Sequence, residues 1–136
     1  MWLVDTCVLS ELAKARPEPK LLDWIAAYGE QSWVAAVSLG ELGFGMESLP
    51  QGARRNALAH WFERLRQQFE GKLLVTDEQV WLRFGQLKAS LRTVGRPQDD
   101  FDLLIGATAS VHGLSLVTRN TRHFKDMGLP LLDPWK

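Results

Sequence analysis

Short apolar runs alternating with longer segments of helical period constrain this chain more than any other feature of its sequence. Trp2-Leu3-Val4 ends at Asp5, Ser32 to Val37 ends near Ser38, and Leu73-Leu74-Val75 and Leu114 to Thr118 are two further runs of strand length, with Leu129 to Leu132 a possible last one. Between them the period changes. Leu21, Ile25 and Tyr28, then Leu58, Trp61, Leu65 and Phe69, then Val80, Phe84, Leu87 and Leu91 recur at the spacing of one helix face. Strands separated by helices predict an α/β chain with a mostly parallel central sheet sandwiched by helices on both faces. In such sheets ligands bind beyond the carboxyl ends of the strands, so the functional residues are expected there.

Breaks at Pro17 and Pro19, at Pro50-Gln51-Gly52 and at Gly95-Arg96-Pro97 punctuate the helices, and none is long enough for an interdomain linker. With 136 residues, 46% of them hydrophobic, residues 1–136 are read as one domain able to build a core without disulfides. The single cysteine, Cys7, can form neither an internal bridge nor a zinc site, which favours a reducing compartment, and a cytoplasmic location is expected. No run of about 20 apolar residues suggests a membrane span. Sixteen basic against sixteen acidic residues exclude the overall basicity of many nucleic-acid binders, so any such site must be a local patch.

Three acidic positions fall where a parallel sheet would gather them. Asp5 closes the first strand, a place that equally suits a helix N-cap. Glu41 follows the second strand, and Ser38 to Glu41 has the spacing of a capping box. Asp99-Asp100-Phe101-Asp102 precedes the apolar run Leu103 to Ala107, so these acids occupy a first helical turn, where the macrodipole favours negative charge; Asp102 is the most inward of them. Each has an ordinary structural reading, but their joint placement is that of a converging cluster. Two carboxylates about 4 Å apart repel by about 4 kcal/mol at an effective dielectric near 20, so the cluster must raise its pKa values or bind a cation. Oxygen ligands select hard ions, which makes Mg²⁺ the expected cofactor, with Mn²⁺ possible. The chemistry this suggests is phosphoryl transfer by a metal-activated water.

The same residues carry a resemblance. Leu3-Val4-Asp5-Thr6-Cys7-Val8-Leu9-Ser10-Glu11-Leu12, Ser38-Leu39-Gly40-Glu41-Leu42 with Gly45, Gly95-Arg96-Pro97 before Asp102, Ile105 to Ala109, His112-Gly113-Leu114, Val117 to Phe124 and Asp133-Pro134-Trp135 follow one another in an order and spacing that resemble PIN-domain ribonucleases, in particular the VapC-like and FitB-like toxins. The resemblance spans nearly the whole chain. It implies the PIN α/β/α sandwich and a metal-dependent endoribonuclease that is the toxin of a bacterial type II toxin–antitoxin system. It also implies a catalytic set of Asp5, Glu41 and Asp102, with Asp5 and Asp102 as the principal metal ligands. Transfer or ribosomal RNA is the implied substrate and a cognate antitoxin the implied partner, inserting a segment into the acidic groove and offering it an Arg; a homodimer is expected as well. Two positions depart from the pattern. Cys7 stands where these toxins usually carry Asn, and a thiol is a weaker hydrogen-bond partner. Asn120 stands where many PIN domains have a fourth acid, which leaves Asp100 as a candidate accessory acid.

Among the remaining polar residues, Thr6 is placed to steady Asp5. Arg119, Arg122, His123 and Lys125 follow a strand end beside the acids and are the favoured RNA contacts, whereas Arg83, Lys88, Arg92 and Arg96 read first as a solvated helix face. His60 and His112, in helical patterns beside apolar residues, read as structural, and most of the tryptophans, Trp81 included, read as core. Phe44, Met46 and Leu49 are expected to be exposed and to belong to a partner or self-association surface. Two rival functions remain at this stage. One is an Asp5-nucleophile phosphatase, disfavoured by Cys7 where a second acid belongs; the other is a catalytically weak RNA- or partner-binding module with the same fold.

Overall fold

The computed structural model describes all residues, Met1–Lys136. Five strands, β1 (Trp2–Val4), β2 (Ser32–Ala35), β3 (Leu73–Leu74), β4 (Ser115–Val117) and β5 (Leu131–Leu132), form one parallel sheet in the order β3-β2-β1-β4-β5. Helices α1 (Thr6–Leu12) and α2 (Pro19–Tyr28) connect β1 to β2, α3 (Ala36–Glu47) and α4 (Ala53–Gln68) lead to β3, α5 (Glu78–Thr93) and α6 (Asp100–His112) lead to β4, and α7 (Thr121–Phe124) leads to β5. The chain thus builds outward from β1 in one direction and then returns to add β4 on its other side. The strand order reverses between β1 and β4, which is where an open α/β sheet places its ligand crevice.

Side chains alternate across the sheet with period two, and this divides the core into two layers. Leu3, Ala35 and Leu116 face α5, α6, Phe124 and Met127; Val4, Val34 and Val117 face Val8, Leu9, Leu21, Leu65 and Phe69. The expected sandwich of helices on both faces is what the chain forms. α6 is buried along Leu103 to Ala109 because it packs on the sheet with one side and on α5 with the other. It ends at Gly113, whose φ of 64° lets the chain reverse into β4, and Leu114 N–H closes the turn on the Ala109 carbonyl at 2.9 Å.

Several boundaries differ from those read in the sequence. β2 stops at Ala35, two residues early, and α3 starts at once. Ser38 and Glu41 therefore lie inside α3 and make no capping box; the apolar run that reads as a longer strand continues as helix. Val75 lies past β3 and is 62% exposed. Five of the six tryptophans, Trp2, Trp24, Trp33, Trp61 and Trp135, pack on the core as expected, but Trp81 is 51% exposed because α5 turns Val80, Leu87 and Leu91 inward instead. His60 and His112 are also exposed rather than core residues. No helix is long and apolar enough to cross a membrane.

The approach of α6 to the segment after α7 sets one strict packing limit. A Cβ at Gly106 would come within 2.4 Å of the Met127 Sδ, and Met127 is itself buried. Gly106→Ala is therefore expected to lower unfolding free energy by about 1–3 kcal/mol through overpacking, measured by urea denaturation; an unchanged midpoint would show that Met127 repacks freely.

Candidate active site at the carboxyl edge of the sheet

Asp5 extends the β1 ladder by one bond, its N–H donating to the Val117 carbonyl at 2.9 Å, and then turns the chain into α1 as its N-cap. Its side chain is 3% exposed and fully engaged. Oδ1 accepts from the Thr6 N–H at 2.7 Å, and Oδ2 accepts from the Thr118 hydroxyl at 2.7 Å and the Cys7 thiol at 3.3 Å. Thr118 follows β4, so this bond ties the two strands together at the point where the sheet order reverses. Thr118 is wholly buried and also accepts from the Asn120 N–H at 3.0 Å. A buried carboxylate needs such donors, since an unpaired one costs several kcal/mol.

Glu41 projects from the second turn of α3 toward Thr6, whose Oγ1 lies 2.7 Å from Glu41 Oε1 and 2.8 Å from Ser38 Oγ. Asp102, in the first turn of α6, is half-buried, and its Oδ2 lies 3.0 Å from His123 Nδ1 on α7. Burial raises the Glu41 pKa first; the Thr6 hydrogen bond opposes this, and the charges of Asp5, Asp102 and Asp99 raise it further. Burial likewise raises Asp102, Asp5 and Asp99 add to the effect, and His123 opposes it. The three acids expected to converge therefore share one electrostatic environment, with too few cations to neutralise it. No three Asp, Glu, His or Cys side chains stand close enough to form a closed metal cage. An open oxygen donor set of this kind suits Mg²⁺, which keeps several waters and takes one or two carboxylates, better than a metal that needs a full protein shell.

The secondary candidates are distributed differently. Thr6 joins the site through both its N–H and its hydroxyl. Asp100 does not, because it faces α5 and pairs with Lys88 at 2.9 Å; Asp99 is the residue of that turn whose charge reaches Glu41 and Asp102. Asn120 is exposed at the start of α7; its N–H donates to Thr118 and its carbonyl accepts from the His123 N–H, while its side chain makes no hydrogen bond. Arg119 lies over the Trp135 ring at 5.3 Å, Arg122 and Lys125 are exposed, and His123 is turned to Asp102. Of the other basic series, Arg83 donates to Ser110, Lys88 pairs with Asp100 and Arg96 pairs with Asp126, which fits its reading as a structural and solvated face. Thr118 was not singled out from the sequence, and Ser38 only as a helix cap. Each acts on a residue far along the chain, and only the assembled sheet edge reveals the pairing.

Cys7, where the resemblance leads one to expect Asn, donates to Asp5 in its stead. Burial first, and then the Asp5 charge, push its thiol pKa up to about 11, so it remains a neutral donor to the carboxylate. From a reference of 9.0 this shift implies about 100-fold less thiolate near pH 8. Ellman's reagent should then label the native protein at least that much more slowly than the urea-unfolded chain; equal rates would mean that the thiol is not held against Asp5.

A family model described as PIN domain matches residues 2–129. The chain is 34% identical, over its full length and 99% of the relative, to the VapC ribonuclease Y4jK of Sinorhizobium fredii. It is 31% identical to Toxin FitB of Neisseria gonorrhoeae, with 99% of each chain covered. The crystal structure of FitAcB from Neisseria gonorrhoeae superposes with a TM-score of 0.91 at 30% identity over 99% of both chains. A matched domain over almost the whole length, full-length relatives and a shared fold lead to one conclusion: the chain belongs to the PIN-domain family, as a homologue of the VapC and FitB proteins.

Proposed function

We propose that this chain is a divalent-metal-dependent endoribonuclease and the toxin of a toxin–antitoxin pair, acting in the cytoplasm. The observation that carries the reading is the coupling of Glu41 and Asp102 to the Asp5 charge at the strand-order reversal, where Asp5 is locked by buried donors and the other two are held above their ordinary pKa values. The relatives, a VapC ribonuclease and a toxin, support it.

Asp5 and Asp102 would hold the ion, Mg²⁺ or Mn²⁺, which when bound supplies an acidified water and charge stabilisation at the scissile phosphate. The chain's own groups do the rest. Thr118, Thr6 and Cys7 fix the two Asp5 oxygens, and His123 fixes one oxygen of Asp102. Glu41, whose pKa burial raises, is placed by the Thr6 hydroxyl with Oε2 free of protein partners, where it would serve proton transfer at the site. Arg119, Arg122 and Lys125, exposed in the segment that carries His123, would offer charge to the RNA backbone, which supplies affinity without reading sequence. Transfer or ribosomal RNA is the proposed substrate class. His123, engaged with Asp102, is assigned to the acid rather than to phosphate.

An antitoxin segment has a place to lie. A groove of about 920 Å³ opens beside Thr6 and Glu41 and runs between α1, α3 and α4 over Leu42, Leu49, Trp61 and Phe62, with Arg54 and Arg64 among its lining residues. Its apolar floor and acidic end suit an amphipathic segment carrying an Arg to the carboxylates. Phe44, 76% exposed on α3, extends the apolar surface beyond the groove and is the proposed rim of that interface or of a homodimer contact.

Purified protein, freed of any partner, should cleave total cellular RNA with Mg²⁺ or Mn²⁺ and not with EDTA. Asp5→Asn and Asp102→Asn should each lose more than about 100-fold, beyond the 10–100-fold typical of losing an outer partner of a metal ligand. Absence of cutting by folded, partner-free wild type would favour the binding-module reading instead.

A further inference from the structure

The contact between Thr6, Ser38 and Glu41 has a direction that the chemistry of its atoms dictates. Thr6 Oγ1 lies 2.7 Å from Glu41 Oε1 and 2.8 Å from Ser38 Oγ, yet a hydroxyl carries one proton. An ionised carboxylate only accepts, so the Thr6 proton goes to Glu41. Ser38 must then donate to Thr6. Ser38 is 0% exposed and its side chain makes no other hydrogen bond, so water offers it no alternative. The result is a one-way chain, Ser38 to Thr6 to Glu41, that fixes the Thr6 rotamer and through it one oxygen of a long, half-exposed side chain. Ser38 and Glu41 lie three residues apart on α3, so both face α1 across the same interhelical contact. The spacing that reads in the sequence as a helix cap is used across helices instead.

We propose that Ser38 is a positioning residue for Glu41, acting through the Thr6 hydroxyl and serving the RNA-cleaving site proposed above. Its function is to hold the Glu41 carboxylate toward Asp5 and Asp102, not to stabilise the start of α3. The conservative pair is Thr6→Ser, which keeps the hydroxyl, against Thr6→Val, which keeps the shape.

The test uses the full-length, metal-free protein and follows the Glu41 side-chain carboxyl by ¹³C NMR as pH is varied, in wild type, Ser38→Ala, Thr6→Ser, Thr6→Val and the Ser38→Ala/Thr6→Val double variant. Because the Thr6 bond lowers the Glu41 pKa, Thr6→Val should move its midpoint upward. Ser38→Ala should move it in the same direction by less, Thr6→Ser should stay at the wild-type value, and the double variant should match Thr6→Val alone. In RNA cleavage, Ser38→Ala should lower kcat by about 10- to 100-fold while KM changes by less than about twofold. A Glu41 midpoint unmoved by Ser38→Ala, or a Ser38→Ala shift that persists in full on the Thr6→Val background, would overturn the proposal. Should Ser38→Ala fail to fold, Ser38→Cys, which retains a weak donor, should give an intermediate shift, and none would count against the chain. The titration needs no cleavage, so a coupled Glu41 in a wild type that cuts no RNA would refute the nuclease reading alone.

Discussion

Everything in this molecule that bears on chemistry depends on bringing carboxylates together at the edge of a parallel sheet and keeping them there. Asp5 is inserted between β1 and β4 by its own backbone bond to Val117 and by the side-chain bond from Thr118. The strand order makes this place a natural crevice, because the chain leaves β1 toward β2 on one side and returns from β3 to lay β4 on the other. Glu41 and Asp102 arrive from helices on different sides of that crevice and meet the Asp5 charge. Convergence of like charges works against folding, and the fold offsets it only partly, with hydroxyl, thiol and imidazole partners in place of a full set of cations.

Those partners divide the work. Asp5, the most buried acid, has three donors; Glu41 has a hydroxyl held by a second hydroxyl; Asp102 has one imidazole nitrogen. Asp5 is thereby fixed in one orientation, whereas each of the other two keeps an oxygen with no protein partner. That asymmetry suits an open site able to accept an ion with its waters and a phosphate. The small partners also allow close approach. A neutral thiol at Cys7 keeps the Asp5 contact without adding charge.

The sheet, its flanking helices and the principal acids were legible in the sequence because they rest on period and strand-end position, which are local signals. Asp5 directly after β1 and Asp102 in the first turn of α6 stand where those signals put them. The capping-box reading of Ser38 and Glu41 failed because a helix beginning at Ala36 and one beginning after Ser38 look alike in an apolar run, and packing of α3 against α1 decides between them. Asp100 and Asp99 are neighbours in sequence, but the rotation of α6 sends the first toward Lys88 and leaves the second within reach of the acids. Thr118 escaped notice because its partner is 113 residues away. Trp81 was read as core on apolar character alone, and the orientation of α5 places it outside.

The most direct measurement of this electrostatic arrangement is the melting temperature with and without Mg²⁺ or Mn²⁺ as a function of pH, in wild type and in the Asp5→Asn/Asp102→Asn double variant. Glu41 and Asp102 have folded pKa values above their unfolded ones, so the folded state binds more protons than the unfolded state in the acid range. Their ionisation therefore costs stability that is absent below the unfolded values and reaches its full extent once pH exceeds the folded values. A bound cation relieves that cost and stabilises according to its occupancy. The divalent ion should raise the wild-type melting temperature near pH 7, the gain should shrink as pH falls through the raised carboxylate range, and the double variant should show little of it. A gain that is independent of pH, or equal in the double variant, would contradict a metal site built on these acids.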